Sequence, residues 1–333
     1  MSVSTIPQQI SSSEATTAKA KSGQWILGPG FDLLFIMNLM WPLLFWIGFE
    51  SDLAGHSSLQ FWQIYFVTTP HRWITLFIVL GDWNRFRERQ TMFLTLGAAI
   101  VAICLLVRGL TGTMTCLLAV DYLWNAWHFA SQHHGIYRIY QRKADPGCGS
   151  DPAQKWVFRL PLLYIISRIV GWSWQFETLD RAFLQLDYAV GGLLVIMMAA
   201  VWFKPRASWA QIGYLTSVLT LYLALLAAVH YSRPDMVLVL STCSALFHAT
   251  EYLAVISWNV KDREAKEQST GPVRNFAPIW LFFLAMFVVA LGIAGWYADK
   301  YWLKVWVTLN VIMAFLHYSY DGLIWRRRPA PQT

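Results

Sequence analysis

What most constrains this chain is a succession of long apolar blocks, each about the length of a membrane-crossing helix and separated by short polar interruptions. A hydrocarbon layer about 30 Å thick is spanned by roughly 20 helical residues rising about 1.5 Å each. Such blocks fall near residues 31–50, 59–81, 91–108, 114–137, 157–175, 188–203, 209–230, 236–259, 276–297 and 302–325. They predict an all-α transmembrane bundle of about ten helices. Of the 333 residues 56% are apolar and only 14% are charged, well below what clothes a soluble domain of this size.

Basic residues set the expected orientation. With the N-terminus in the cytoplasm, 19 Lys and Arg fall inside, among them Arg85, Arg87 and Arg89, the segment from Arg138 to Arg159, and Arg326 to Arg328. Five fall outside: Arg108, Arg181, Arg233, Lys300 and Lys304. This asymmetry obeys the positive-inside rule and puts both termini in the cytoplasm. The expected domain plan is a cytoplasmic tail over 1–25, rich in Ser, Thr and Gln, one transmembrane domain over 26–326, and a basic cytoplasmic tail over 327–333.

The net charge of +7 is dispersed among loops rather than gathered into a patch, which argues against nucleic acid and makes anionic lipid head groups the expected partner. Cys104, Cys116, Cys148 and Cys243 show no CxxC spacing, so neither a thiolate metal site nor a disulfide framework is expected.

Ionisable groups inside a bilayer cost about 2.5 to 3.5 kcal/mol each on insertion scales, so the histidines carry the most information. His56 and His230 belong to the outer surface. The other six, His71, His128, His133, His134, His248 and His317, occupy the second, fourth, eighth and tenth blocks, all expected to run inward. From His71, His128, His248 and His317 to the first cytoplasmic basic residue are 14, 10, 13 and 9 residues, a common slab roughly 8 Å thick.

Polar residues accompany them at helical spacing. His71 and Asp82 are three turns apart, His317 and Asp321 are i,i+4 neighbours, and His248 with Glu251 forms an HxxE pair. In the run DYLWNAWHFASQHHG, Asp121, Asn125, His128 and Gln132 form one stripe, while His133 and His134 are rotated off it in opposite senses.

Imidazole and carboxylate without cysteine suit iron, manganese or zinc. The candidate ligands exceed one ion's needs. Depth divides them into an upper set, His71, His128, His248 and Glu251, and a lower set, Asp82, His133, His134, His317 and Asp321. Asp82, Asp121, Asn125 and Gln132 are alternatively residues that orient the ligands. Arg168 either pairs with Asp121 or another buried acid or holds an anionic substrate group. Tyr252 and Tyr320 are candidates to supply a proton or hydrogen bond, and Pro70 is expected to bend the second helix beside His71.

The run HFASQHHG, with further histidines on other helices, resembles the histidine boxes of integral membrane non-haem iron oxygenases of the desaturase and alkane hydroxylase type. Single histidines on separate helices are also similar to the bacterial retinal-forming carotene dioxygenases of the Brp and Blh type, a likeness carried by His71, His128, His248 and His317. The resemblance implies iron, O2, and a lipophilic or small substrate entering from the bilayer, and the number of candidate ligands makes two ions the expectation. No flavin, nucleotide or haem-attachment motif is present, so electrons are expected from a soluble or membrane donor or from the substrate. The expected function is an iron-dependent oxidoreductase. Zinc hydrolysis, an electron-transfer protein holding haem b between axial histidines, and an ion or proton-coupled transporter are the alternatives.

Overall fold

The computed structural model describes residues 24–53, 58–149, 151–173 and 180–325. His56, residues 1–23 of the expected N-terminal tail and the whole of 327–333 lie outside them. Among the described residues the chain is helical with no strand. Its main helices are α1 (Trp41–Leu53), α2 (Thr69–Gly81), α3 (Gln90–Thr111), α4 (Thr115–Ala144), α5 (Pro152–Ser173), α6 (Asp180–Trp202), α7 (Trp209–His230), α8 (Pro234–Ala265) and α9 (Trp280–Ile324). α9 is two helices joined at Trp302, whose backbone leaves helical geometry, and this corresponds to the break expected between 297 and 302.

Five described helices are long and apolar enough to cross a membrane: Gln90–Thr111, Ala182–Trp202, Trp209–His230, Pro234–Ala265 and the helical run Gly271–Ile324. The bent pair Pro29–Ile36 and Trp41–Glu50 makes a sixth if taken together. Among the described residues helix also runs through 59–81, 115–137 and 157–173 of the expected blocks, but it is less uniformly apolar there. Those segments carry His71 and Arg72, the histidine-rich run of α4, and Arg159 and Arg168.

Burial separates inner from outer helices. In their most apolar stretches α7 is 67% buried and α8 78%, against 22% for α3 and 17% each for α6 and the run containing α9. Leu106 and Leu110 of α3, Ile196 of α6, and Leu281 and Phe282 of α9 are exposed. Such an apolar belt is what a lipid-facing surface presents.

Two π-helical turns hold the bundle's special backbone. One, Asp32–Ile36, begins at a carboxylate that accepts from the N–H groups of Ile26, Leu27 and Gly28 and from the Tyr140 hydroxyl at 2.8 Å. These four donors satisfy a fully buried acid and tie Ile26, Leu27 and Gly28 to α4. The other, Gln63–Thr68, lies just before Pro70, which has no N–H to donate.

Three apolar cores meet at one place. The largest joins α4, α5, α7 and α8 and contains Phe129 and Phe247. The second packs α3 against the end of α9 and contains Leu316 and Tyr318, and the third joins α2 to α8 and contains Ile74 and Tyr252. Phe129, Phe247, Leu316 and Tyr318 adjoin His128, His248 or His317 in the chain, and Ile74 and Tyr252 lie one helical turn from His71 and His248.

A candidate metal centre between four helices

His71 of α2, His128 of α4, His248 of α8 and His317 of α9 converge, and none is more than 7% exposed. Their rings form a closed square. His71 lies 4.8 Å from His317 and 5.2 Å from His248, centroid to centroid, and His128 lies 4.7 Å from His317 and 4.9 Å from His248. Each neighbouring pair is edge-on, at 73° to 88°. Ligand atoms of His71, His248 and His317 all lie within 4.8 Å of one another, as do those of His128, His317 and Asp321.

Hydrogen bonds set which nitrogens face inward. The His71 Nδ1–H can only donate to the Thr68 carbonyl at the π turn, because a carbonyl only accepts. The Nε2 of neutral His71 therefore carries the lone pair. At His317 a directed chain does the same. Tyr252 donates to Asp321 Oδ1 at 2.7 Å, Thr75 Oγ1 is 2.6 Å from the Tyr252 hydroxyl, and His317 Nδ1 is 2.6 Å from Thr75 Oγ1. With the Tyr252 proton on the carboxylate, Thr75 donates to Tyr252 and His317 Nδ1–H donates to Thr75. The His317 Nε2 is then a lone pair too, and it sits 3.0 Å from His128 Nε2.

Two imidazole nitrogens bound to one ion at about 2.1 Å are about 3 Å apart when they subtend a right angle. The 3.0 Å separation fits that arrangement. His248 stacks on Phe129 at 3.8 Å, and neither of its nitrogens has a hydrogen-bond partner. Buried imidazoles ordinarily find partners, so the ring of four fits a cation as its common acceptor.

A second polar layer lies one turn further along each helix. Thr75, Gln132, Tyr252 and Asp321 each follow a ring histidine by four residues. Thr75, Tyr252 and Asp321 make the chain beneath His317, and Gln132 donates to the His248 carbonyl at 2.8 Å and to Glu251 at 2.7 Å. Thr75 and Thr68 had not been expected at the site, although the i,i+4 spacing from His71 to Thr75 was the available signal.

The remaining candidates are distributed differently from the two sets that depth suggests. His317 joins the ring of the upper set. Glu251 turns away to His133 at 2.9 Å and accepts from Tyr214 at 3.1 Å, so a buried carboxylate is satisfied by its own donors. His134 lies outside the ring and packs against Phe158. Asp82 does not share a helical face with His71, because α2 ends at Gly81, Asp82 is extended, and its carboxylate is held by Arg263 at 2.8 Å. Asp121 and Asn125 both accept from Tyr318, at 3.0 and 2.9 Å, beside the ring rather than in it. Tyr320 points to the Phe93 carbonyl of α3, away from the histidines.

Arg168 pairs with a buried acid, Asp187, at 3.4 Å. The same carboxylate accepts from Tyr164 at 2.6 Å and meets His230 Nδ1 at 3.1 Å. His230 is thus half-buried in an α5–α6–α7 contact and is not the plain surface residue expected from its place at a helix end, since Asp187 needs its partners.

A cavity of about 630 Å³ opens beside the ring and is lined by His128, Tyr252, Tyr318 and Asp321 at one end. No protein-family model matches the chain, and comparison with curated proteins and with solved structures finds no match.

Proposed function

We propose that this chain is a multi-pass membrane protein with about ten spans and both termini in the cytoplasm, and that it is a non-haem iron oxygenase acting with O2 on a lipophilic substrate. The observation that carries the reading is the square of four buried imidazoles from four helices, with the Nδ1 atoms of His71 and His317 engaged and their Nε2 atoms available as ligands. One ion suits that square, because Asp82, His133 and His134 lie outside it. Iron is preferred to zinc because a redox metal held by imidazoles in an apolar interior matches oxygen chemistry on a greasy substrate. A haem between facing histidines is less well supported, since His128 Nε2 and His317 Nε2 are only 3.0 Å apart, closer than about 4 Å for two nitrogens on opposite sides of one metal. A proton relay across the bilayer is less well supported too, since the hydrogen-bond chain from His317 ends at Asp321 only one turn further on.

Bound iron would supply the redox chemistry toward O2. The chain's own residues would do the rest. Thr68, Thr75, Tyr252 and Asp321 orient the imidazoles and raise their basicity. Phe129 and the surrounding apolar core keep bulk water away from the ring. Electrons come from a partner donor or from the substrate.

The test is metal analysis of protein purified without chelators. About one iron per chain is expected for a four-histidine site, lost in His128→Ala and His317→Ala. Stoichiometric zinc in place of iron favours hydrolysis, an intense Soret band favours haem, and absence of stoichiometric metal overturns the site.

A further inference from the structure

The cavity beside His128 has a chemical polarity that four imidazoles do not require. Arg138 and Arg142 line it ten and fourteen residues beyond His128 along α4, about 15 and 21 Å of helix, and Lys155 and Arg159 line it from the start of α5. Asp321 is the only carboxylate among the described lining residues, and its Oδ1 is already engaged by Tyr252 and Trp325. Among the described residues Arg138, Lys155 and Arg159 enter no ion pair. Arg138 donates to Gln141 and to the carbonyls of Cys148 and Gly149, while the Arg159 guanidinium lies 5.0 Å from the Trp127 ring centre.

The same cavity wall carries four buried polar atoms without a hydrogen-bond partner: Ser131 Oγ, Gln132 Oε1, His134 Nε2 and Arg159 Nε. Buried polar groups are seldom left so, and several along one cavity point to a ligand that satisfies them. Beside His128 the wall is aromatic, with Trp124, Trp127 and Tyr318. At about 630 Å³ the space is of the size that encloses small organic ligands.

We infer that this cavity binds a single-chain amphiphile, its carboxylate or phosphate head group against Lys155 and Arg159 and its apolar chain running along the aromatic wall to His128. Guanidinium and ammonium groups in a water-poor setting select such anions. That the amphiphile is the substrate rests on the metal centre proposed above; its binding does not.

The test uses the full chain in nanodiscs of zwitterionic lipid, photolabelled with a fatty acid carrying a diazirine near the end of its chain, with labelled peptides identified by mass spectrometry. Labelling is expected within residues 124–139 or 318–325. Excess unlabelled fatty acid or alkyl phosphate of the same length should suppress it about tenfold or more, and the matching alcohol should not. The stronger of those two competitors identifies the head group. The double variant Lys155→Gln, Arg159→Gln should lose labelling by a similar factor while its thermal unfolding stays unchanged. His317→Ala, which is outside the cavity lining, should lose metal and keep the labelling. Equal suppression by the alcohol, labelling confined to outer helices, or unchanged labelling in the double variant overturns the inference. Suppression by two-chain phosphatidic acid as strong as by the fatty acid also overturns it, in favour of a bilayer lipid site. If metal is absent yet labelling remains charge-dependent, the binding site stands and the oxygenase reading falls.

Discussion

At His317 the placement of each proton follows from its neighbours. Asp321 accepts from Tyr252, Thr75 lies between that hydroxyl and the imidazole, and the result is an Nε2 lone pair aimed at His128. Thr75 has nearly the shape of valine, so Thr75→Val removes the hydroxyl and leaves the packing. The expected outcome is metal affinity weakened by about 10- to 100-fold, measured by competition with a chelator, while Thr75→Ser stays close to the parent. Equal affinities for the valine and serine variants would remove Thr75 from the site. His133 and Glu251 show how a different partner diverts a candidate ligand. In sequence Glu251 shares a face with His248, yet Tyr214, Gln132 and His133 satisfy it first. Glu251→Ala would remove the acceptor that His133, Tyr214 and Gln132 share and is expected to cost about 3 kcal/mol or more in a thermal or denaturant unfolding measurement, whereas Glu251→Gln should cost much less.

Among the elements, the α3–α9 contact fixes where His317 stands. Gly97 of α3 has no side chain because the Tyr320 hydroxyl of α9 occupies the place a Cβ would take, and that hydroxyl donates to the Phe93 carbonyl one turn earlier at 2.9 Å. Small residues that allow such close approach are the usual means of helix association in lipid. Gly97→Ala is therefore expected to destabilise by about 1 to 3 kcal/mol through overpacking. Tyr320→Phe deletes the clashing oxygen, so the double variant should recover much of the loss in melting temperature. Simple additivity of the two changes would contradict the assignment. The π turn before Pro70 is the corresponding device on α2, since it presents the Thr68 carbonyl to His71. Pro70 was legible as a bend, but which carbonyl it would expose was not.

For the whole molecule, the proposed orientation is open to a chemical test. α4, with 30 residues, is about 45 Å long, so Cys116 at its start and Cys148 just past its end lie at opposite ends of the bundle. Cys104 and Cys243 are buried and Cys116 is exposed. With the basic loops in the cytoplasm, a membrane-impermeant thiol reagent is expected to label Cys148 in inside-out vesicles and not in right-side-out ones. The reverse pattern would invert the topology. The same orientation would open the basic part of the cavity toward the cytoplasm, where a soluble electron donor has access.

The sequence by itself determined the helical class and the common level of His71, His128, His248 and His317, because hydropathy and the rise of a helix are local quantities that require no knowledge of neighbours. It also determined that His133 and His134 leave the stripe of His128, which helical periodicity alone dictates. Tertiary structure decided the composition of the candidate site. Which carboxylate meets a cation, which meets a tyrosine and which lies beside the imidazoles depends on competition among buried donors from different helices. Asp82 went to Arg263, Glu251 to His133 and Asp321 to Tyr252. Each burial is tolerable only with a partner, and the partner is chosen by packing between segments far apart in the chain.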